Sequence, residues 1–272
     1  MGVFEGMRRK DVVTWNVMIN SFIEHERYGN GLQLFEHLVS NEMNVDDTTV
    51  LIATKAIKYF KDLNKAKQVY EFTVKKGMKM SPSLLNSLGD MFFKCGDVES
   101  ALLIFKQVKM KSLQVMTWNI MIDGYAENGR YEEAWKIFQK LCNEKVQFDE
   151  TTWVCVTKVI VGMNNLESAR NLYKQILQSG IEITSILANS LMIMFSKCGD
   201  VETSKLIFKH LKVKNVIVYS TMIDCLAENK SYQEALQIFE HMKNNNIPFN
   251  DITLVCVTKA IIGLNDMEKA RD

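Results

Sequence analysis

Proline is nearly absent, with Pro82 and Pro248 the only two in 272 residues. Inside a helix, proline removes a backbone donor and collides with the preceding turn. Its scarcity leaves almost the whole chain free to be helical. No run of 18 apolar residues occurs, the length a spanning helix needs, so no membrane partner is expected. Charge of one sign is lacking too: 33 basic against 32 acidic residues give a net +1. Total charge therefore carries no footprint of a nucleic acid or of a basic partner. The 6 cysteines, Cys95, Cys142, Cys155, Cys198, Cys225 and Cys256, include no CxxC. Cys95 with Cys198, and Cys155 with Cys256, recur at matching places, which suits small buried fillers in a reducing compartment. The histidines His25, His37, His210 and His241 show no metal spacing. Three of them follow a Phe by two residues, which suits a repeated position on a helix surface. There is no HxE with CxxC, no Gly-rich phosphate loop and no GxSxG; neither catalytic residue, metal nor cofactor is expected, and no enzyme. Arg8 and Arg9 precede no apolar run, so Met1 to Lys10 reads neither as a secretory signal nor as a clear transit peptide.

What the chain does hold is self-similarity. Thr14-Trp15-Asn16-Val17-Met18-Ile19 returns as Thr117-Trp118-Asn119-Ile120-Met121-Ile122, a shift of 103 residues, and more weakly from Val218 to Ile223. Lys94-Cys95-Gly96-Asp97-Val98-Glu99 reappears unchanged from Lys197 to Glu202. This long period divides into three related pieces. Helix-start patterns fall near Val12, Asp47, Pro82, Val115, Glu150, Ser185, Val216 and Asp251, mostly 35 residues apart. That is the length of two helices of three to four turns each.

The repeat starting at Val12 shows the physics. Trp15, Met18, Ile19 and Phe22 form one apolar stripe on a first helix. Arg27 to Asn30 reads as the polar turn, and Leu32, Leu34, Phe35 and Leu38 supply the second stripe. Gly96 and Gly199 suit a left-handed helix end, and Asp97 and Asp200 then cap the next helix. One helical pair cannot cover both stripes, whereas stacked neighbours can. The expected fold is all-α: an α-solenoid, a right-handed superhelix of helix-turn-helix repeats of about 35 residues. The expected organisation is a single array over 1–272. Residues 1–11 end a repeat, with Val3-Phe4 matching Ile104-Phe105, and 251–272 form an incomplete one. Both ends read as cuts through repeats, the mark of a fragment or a short member of a longer array.

Two repeat families have this length. The Trp, Leu-Gly and Tyr spacing of tetratricopeptide repeats is absent. Val12-Val13-Thr14-Trp15-Asn16-Val17-Met18-Ile19 instead resembles the opening of the pentatricopeptide repeat (PPR). Asp123-Gly124-Tyr125-Ala126-Glu127-Asn128-Gly129-Arg130 resembles its turn, and Glu133-Ala134 to Ile137-Phe138 its second helix. Alternating standard, longer and shorter repeats resemble the plant-editing subclass called PLS. Phe92 to Asp97 and Phe195 to Asp200 are close to its short-repeat "YAKCGD". The chain departs where that family has Pro-Asp, showing Val45-Asp46, Phe148-Asp149 and Phe249-Asn250.

The resemblance implies single-stranded RNA binding, one base per repeat. The fifth and last residues of a repeat would read the base edge, and an aliphatic second residue would pack on its face. Carried over, the standard repeats offer Asn16 with Asp46 and Val13, Asn119 with Asp149 and Met116, and Ser220 with Asn250 and Ile217. The family's code makes the first two uracil readers and the third an adenine reader. Asn189 with Asn215 and Ile186 resembles a pyrimidine reader, while Asn86 with Gln114 is left without a base. Leu51, Val154 and Val255 at the fifth place of the longer repeats cannot hydrogen-bond a base. Binding in parallel would give 5′-U-x-x-U-x-Y-A-3′.

Lys55, Lys158 and Lys259 recur at one place, and Lys94 and Lys197 at another, on the helical face of the fifth residue. They are candidate phosphate contacts. Glu24, Glu127 and Glu228 share that stripe, so solvated charge is the competing reading. The resemblance implies an adaptor in organellar RNA editing or processing, a monomer in mitochondrion or plastid that works with a separate enzyme. A protein-binding helical scaffold and a non-functional fragment of a larger protein remain the alternatives, and the cytoplasm is the alternative to an organelle.

Overall fold

The computed structural model describes residues 11–41, 43, 45–107, 114–144 and 146–269, with side chains to 265. The expected repeat end within residues 1–10 lies outside the described residues. Among these there are fifteen α-helices and no strand. In chain order they are α1 (Val12–Glu24), α2 (Tyr28–Ser40), α3 (Asp47–Phe60), α4 (Leu63–Lys75), α5 (Pro82–Lys94), α6 (Val98–Phe105), α7 (Val115–Glu127) and α8 (Tyr131–Asn143). Then follow α9 (Glu150–Met163), α10 (Leu166–Ser179), α11 (Ser185–Lys197), α12 (Val201–His210), α13 (Val216–Glu228), α14 (Tyr232–Asn244) and α15 (Asp251–Lys269). Odd-numbered helices open repeats, and even-numbered ones return. None is long and apolar enough to cross a membrane.

The chain forms two compact units, Met1–Arg130 and Tyr131–Asp272. In the first, α1, α3, α5 and α7 stack in order, each against the next. In the second, α9, α11, α13 and α15 do the same. Each unit is an α-solenoid.

Local chemistry sets the helix ends. Asp46 accepts from the Thr49 N–H at 2.8 Å, and the Thr49 hydroxyl receives the Asp46 N–H, a reciprocal cap on α3. Ser81 caps α5, with Pro82 in the first turn where its missing N–H does no harm. At the α5–α6 turn the Gly96 backbone is left-handed, with φ +82°. The Asp97 N–H then closes α5 on the Phe92 carbonyl at 3.0 Å, while its side chain opens α6 on the Ser100 N–H at 3.0 Å. Asp200 does both jobs between α11 and α12. Glu26 takes this left-handed place in the first repeat, with φ 60°. Its turn therefore spans His25 to Arg27, and α2 begins at Tyr28, earlier than the turn expected at Arg27 to Asn30.

The stripes form the core. Ile19, Leu38, Ile57, Leu88, Trp118, Ile160, Leu191 and Ile223 are fully buried. Gly162 and Gly263 let helices approach an aromatic ring closely: a Cβ at either would lie within 2.3 Å of Tyr131 or Tyr232. The expectation for cysteines holds for Cys155 and Cys256, which are buried, and fails for Cys95 and Cys198. Those two are half-buried because each is the last residue before the left-handed glycine, where the helix surface opens. Cys142 is exposed.

Candidate nucleic-acid interface

In the first unit the opening helices α1, α3, α5 and α7 line one groove of about 940 Å³. Its wall includes Val13, Asn16, Asn20, Asp46, Lys55, Asn86, Gln114 and Met116. Register explains the selection. Second places face outward, fifth places sit deeper against the neighbouring helix, and last places stand immediately before the next first helix.

Asn16 on α1 is buried, and its Nδ2 donates to the Asp46 Oδ1 at 3.0 Å. Asp46 is exposed and also takes the Thr49 N–H and hydroxyl, each at 2.8 Å. Burial alone would raise the Asp46 carboxyl, but hydrogen bonds from the Thr49 N–H, Asn16 and the Thr49 hydroxyl hold it below the ordinary carboxylate value. It is an anionic acceptor at neutral pH. The Asn16 Oδ1 is buried and accepts no hydrogen bond.

The other pairs differ. Gln114 forms no side-chain cap on α7, so the Thr117 hydroxyl turns to the Asn86 Oδ1 at 2.8 Å. Asn86 thereby meets Thr117, not Gln114. Ser220 meets the Thr253 hydroxyl at 2.7 Å, and that hydroxyl donates to the Asn250 Oδ1 at 3.0 Å. Ser220 and Asn250 are thus joined through Thr253. Asn215 caps α13 on the Val218 N–H at 3.0 Å, and the Asn189 Oδ1 is buried and unbonded. Asn119 is buried on α7 in the first unit, and Asp149 caps α9 in the second.

Threonines 49, 117 and 253, at the third place of first helices, were missed from sequence. For Thr49 and Thr253 the signal is the Asp46 or Asn250 three residues earlier; Thr117 follows Gln114 and carries no such signal. The expected clamping residues are all exposed: Val13 62%, Met116 60%, Ile186 64% and Ile217 57%. Ile252, at the same place on α15, is a further one.

Of the five lysines, Lys94 lies 2.5 Å from Glu127, Lys197 2.7 Å from Glu228, and Lys259 2.7 Å from Asp224. Lys158 is not free either. The mixed stripe is therefore partly a ladder of ion pairs between adjoining first helices. His37 and His241 stand on the surface, the first with its ring tilted against Trp15 at 5.7 Å between centroids and the second stacked on Tyr219 at 5.9 Å.

Comparison with known proteins bears on this arrangement. One model, the PPR repeat, matches residues 13–43, 83–113 and 186–216. A second, the PPR repeat family, matches 113–161 and 214–262, and together they cover well over half the chain. A chloroplastic pentatricopeptide repeat-containing protein of Arabidopsis thaliana is 28% identical over 258 residues, 95% of this chain and 32% of that protein. A mitochondrial one from the same plant is 28% identical over 265 residues, 97% of this chain and 38% of its own length. The chain thus spans about a third of the length of these relatives. Among solved structures, the pentatricopeptide repeat protein PPR10 from maize superposes with a TM-score of 0.75 at 17% identity, over 99% of this chain and 40% of that one. PPR10 in complex with an 18-nt psaJ RNA element gives 0.60 at 16% identity, over 99% and 45%. At such identities the likeness is one of fold.

Proposed function

The chain belongs to the pentatricopeptide repeat family, and from that premise we propose that it binds single-stranded RNA selectively, as an adaptor and not as an enzyme. The observation that carries this reading is the group at the head of α1. A buried Asn16 amide, an exposed Asp46 carboxylate bonded to it at 3.0 Å and an exposed Val13 share one groove.

The chemistry suits a base edge. An ionised carboxylate can only accept, so it takes a ring N–H, which uracil and guanine have and adenine and cytosine lack. The family's code selects uracil. Val13 would cover the base face and exclude water, which strengthens the edge contacts. At Ser220, Thr253 and Asn250, hydroxyls and an amide replace the carboxylate, in keeping with a different base. For Asn119 with Asp149 the reading rests on sequence register alone. Taking 1–272 as one PLS-type array, the repeats spell 5′-U-x-x-U-x-Y-A-3′, and Leu51, Val154 and Val255 contribute shape. Relatives named as chloroplastic or mitochondrial support an organellar place, where the chain would deliver a transcript to a separate editing or processing enzyme.

The test is binding of the purified chain to labelled RNA carrying UxxUxYA, against the same RNA with both U positions changed to G. A preference for uracil that Asn16→Ala/Asn119→Ala abolishes supports the reading. A folded, helical chain that binds neither RNA at low salt overturns it in favour of a protein-binding scaffold or an inert segment.

A further inference from the structure

Lysines stand at the ninth place of first helices in Lys55, Lys158 and Lys259, and their surroundings differ. Lys259 on α15 is 2.7 Å from Asp224, the ninth residue of α13, and 3.8 Å from Glu228. Lys58, one turn beyond Lys55 on α3, is held at 2.7 Å by Asp90, the ninth residue of α5. Lys94 and Lys197 are paired with glutamates on the following first helix, and Lys158 is not free.

Lys55 is exposed, and among the described residues no carboxylate pairs with it. The reason is one residue. Where α13 presents Asp224 to Lys259, α1 presents Asn20 to Lys55. Asn20 turns its amide to Glu24 at 2.6 Å and offers no charge. Asn20 and Lys55 line the same groove as Val13, Asn16 and Asp46.

We propose that Lys55 is a phosphate contact of this groove, and that for a lysine at the ninth place the ninth residue of the preceding first helix decides whether it is available. A carboxylate there withdraws the ammonium, since a phosphate would have to displace it. An amide leaves the ammonium to release counterions when RNA binds. This rests on the RNA reading above.

The experiment measures RNA affinity against salt for the whole chain and its variants, using the UxxUxYA RNA. Lys55→Gln should lower the slope of log affinity on log salt by about 0.7, the value of one single-strand phosphate, while keeping the preference for U over G. Asn20→Asp should do the same with Lys55 still present. Lys259→Gln should leave the slope unchanged. All three positions are on the helix surface, and circular dichroism checks that the variants stay folded. If the unaltered chain binds but Lys55→Gln keeps its slope, the lysine assignment falls and RNA binding stands. If Lys259→Gln lowers the slope as much as Lys55→Gln, the masking role of Asp224 falls. If the unaltered chain binds no RNA at low salt, the RNA reading fails and takes this assignment with it.

Discussion

Asn16 donates to Asp46 at 3.0 Å across 30 residues of chain, from the first helix of one repeat to the cap of the next. The same carboxylate receives the Thr49 N–H and starts α3. One carboxylate therefore joins helix capping to the candidate base edge.

These two roles separate by substitution. Asp46→Ala removes both and should destabilise the chain by about 1 kcal/mol, the usual loss of a helix cap. Asp46→Asn keeps a good cap, so stability should stay within a few tenths of a kcal/mol. It replaces a pure acceptor by a mixed group, however, so the preference for uracil at that repeat should weaken. Urea unfolding reads the first effect and RNA binding the second. Loss of base preference with neither variant would remove Asp46 from the site.

The Asp46 carboxyl also predicts a pH dependence. Its folded pKa lies below the ordinary 3.8 because the hydrogen bonds from Thr49 and Asn16 outweigh burial. A depressed acid pKa contributes stability that is fully present above the unfolded value and lost as pH falls through the folded one. Asp200 acts in the same direction: burial raises it, but hydrogen bonds from Arg170 and Thr203 and the Arg170 charge prevail. The midpoint of thermal unfolding should hold steady down to about pH 5 and then fall. The Asp46→Asn chain should fall less steeply. Parallel curves would mean that the hydrogen bonds from Thr49 and Asn16 do not favour the ionised Asp46 in the folded chain.

Much of this was legible in the residues themselves. Val12, Asp47, Pro82, Val115, Glu150, Ser185, Val216 and Asp251 begin first helices, and each opens an apolar stripe. Such signals are local, within one or two turns. The pairing of Lys94 with Glu127 spans 33 residues, and it depends on how neighbouring repeats stack. So does the choice of the Asn86 amide between Gln114 and Thr117, which turns on whether Gln114 caps α7. Exposure of Cys95 beside its left-handed glycine is likewise a matter of three-dimensional surface, which periodicity does not report.

The turns between paired helices give a third prediction. Gly199 has φ +83° with nothing within 4 Å of a built Cβ, so a side chain there meets backbone strain and no crowding. Gly199→Ala should destabilise by about 1 kcal/mol. Lys230 occupies the equivalent place before α14 with φ 62°, its following N–H closing on the Leu226 carbonyl at 2.9 Å. Lys230→Gly relieves strain there and should stabilise by up to about 1 kcal/mol, offset in part by the greater freedom of glycine in the unfolded chain. Chemical denaturation of both variants checks the pair. A stabilising Gly199→Ala would contradict the left-handed turn.

The outward aliphatics separate function from stability most directly. Val13, Met116, Ile186 and Ile217 are each more than half exposed, although apolar side chains are ordinarily the ones a fold buries. Their truncation removes little packing, so Val13→Ala and Ile217→Ala should each change unfolding free energy by no more than about 0.5 kcal/mol. If they cover base faces, both should weaken RNA binding, and they should do so with little change in which base is preferred, because the proposal gives the base edge to Asn16 with Asp46 and to Ser220 with Thr253 and Asn250. Trp118→Ala sets the contrast. That ring is fully buried, and its loss should destabilise by about 3–5 kcal/mol whatever the ligand. Equal RNA affinity for the Val13→Ala, Ile217→Ala and unaltered chains would show that these side chains cover no base, and their exposure would then favour a protein partner on the same helical face.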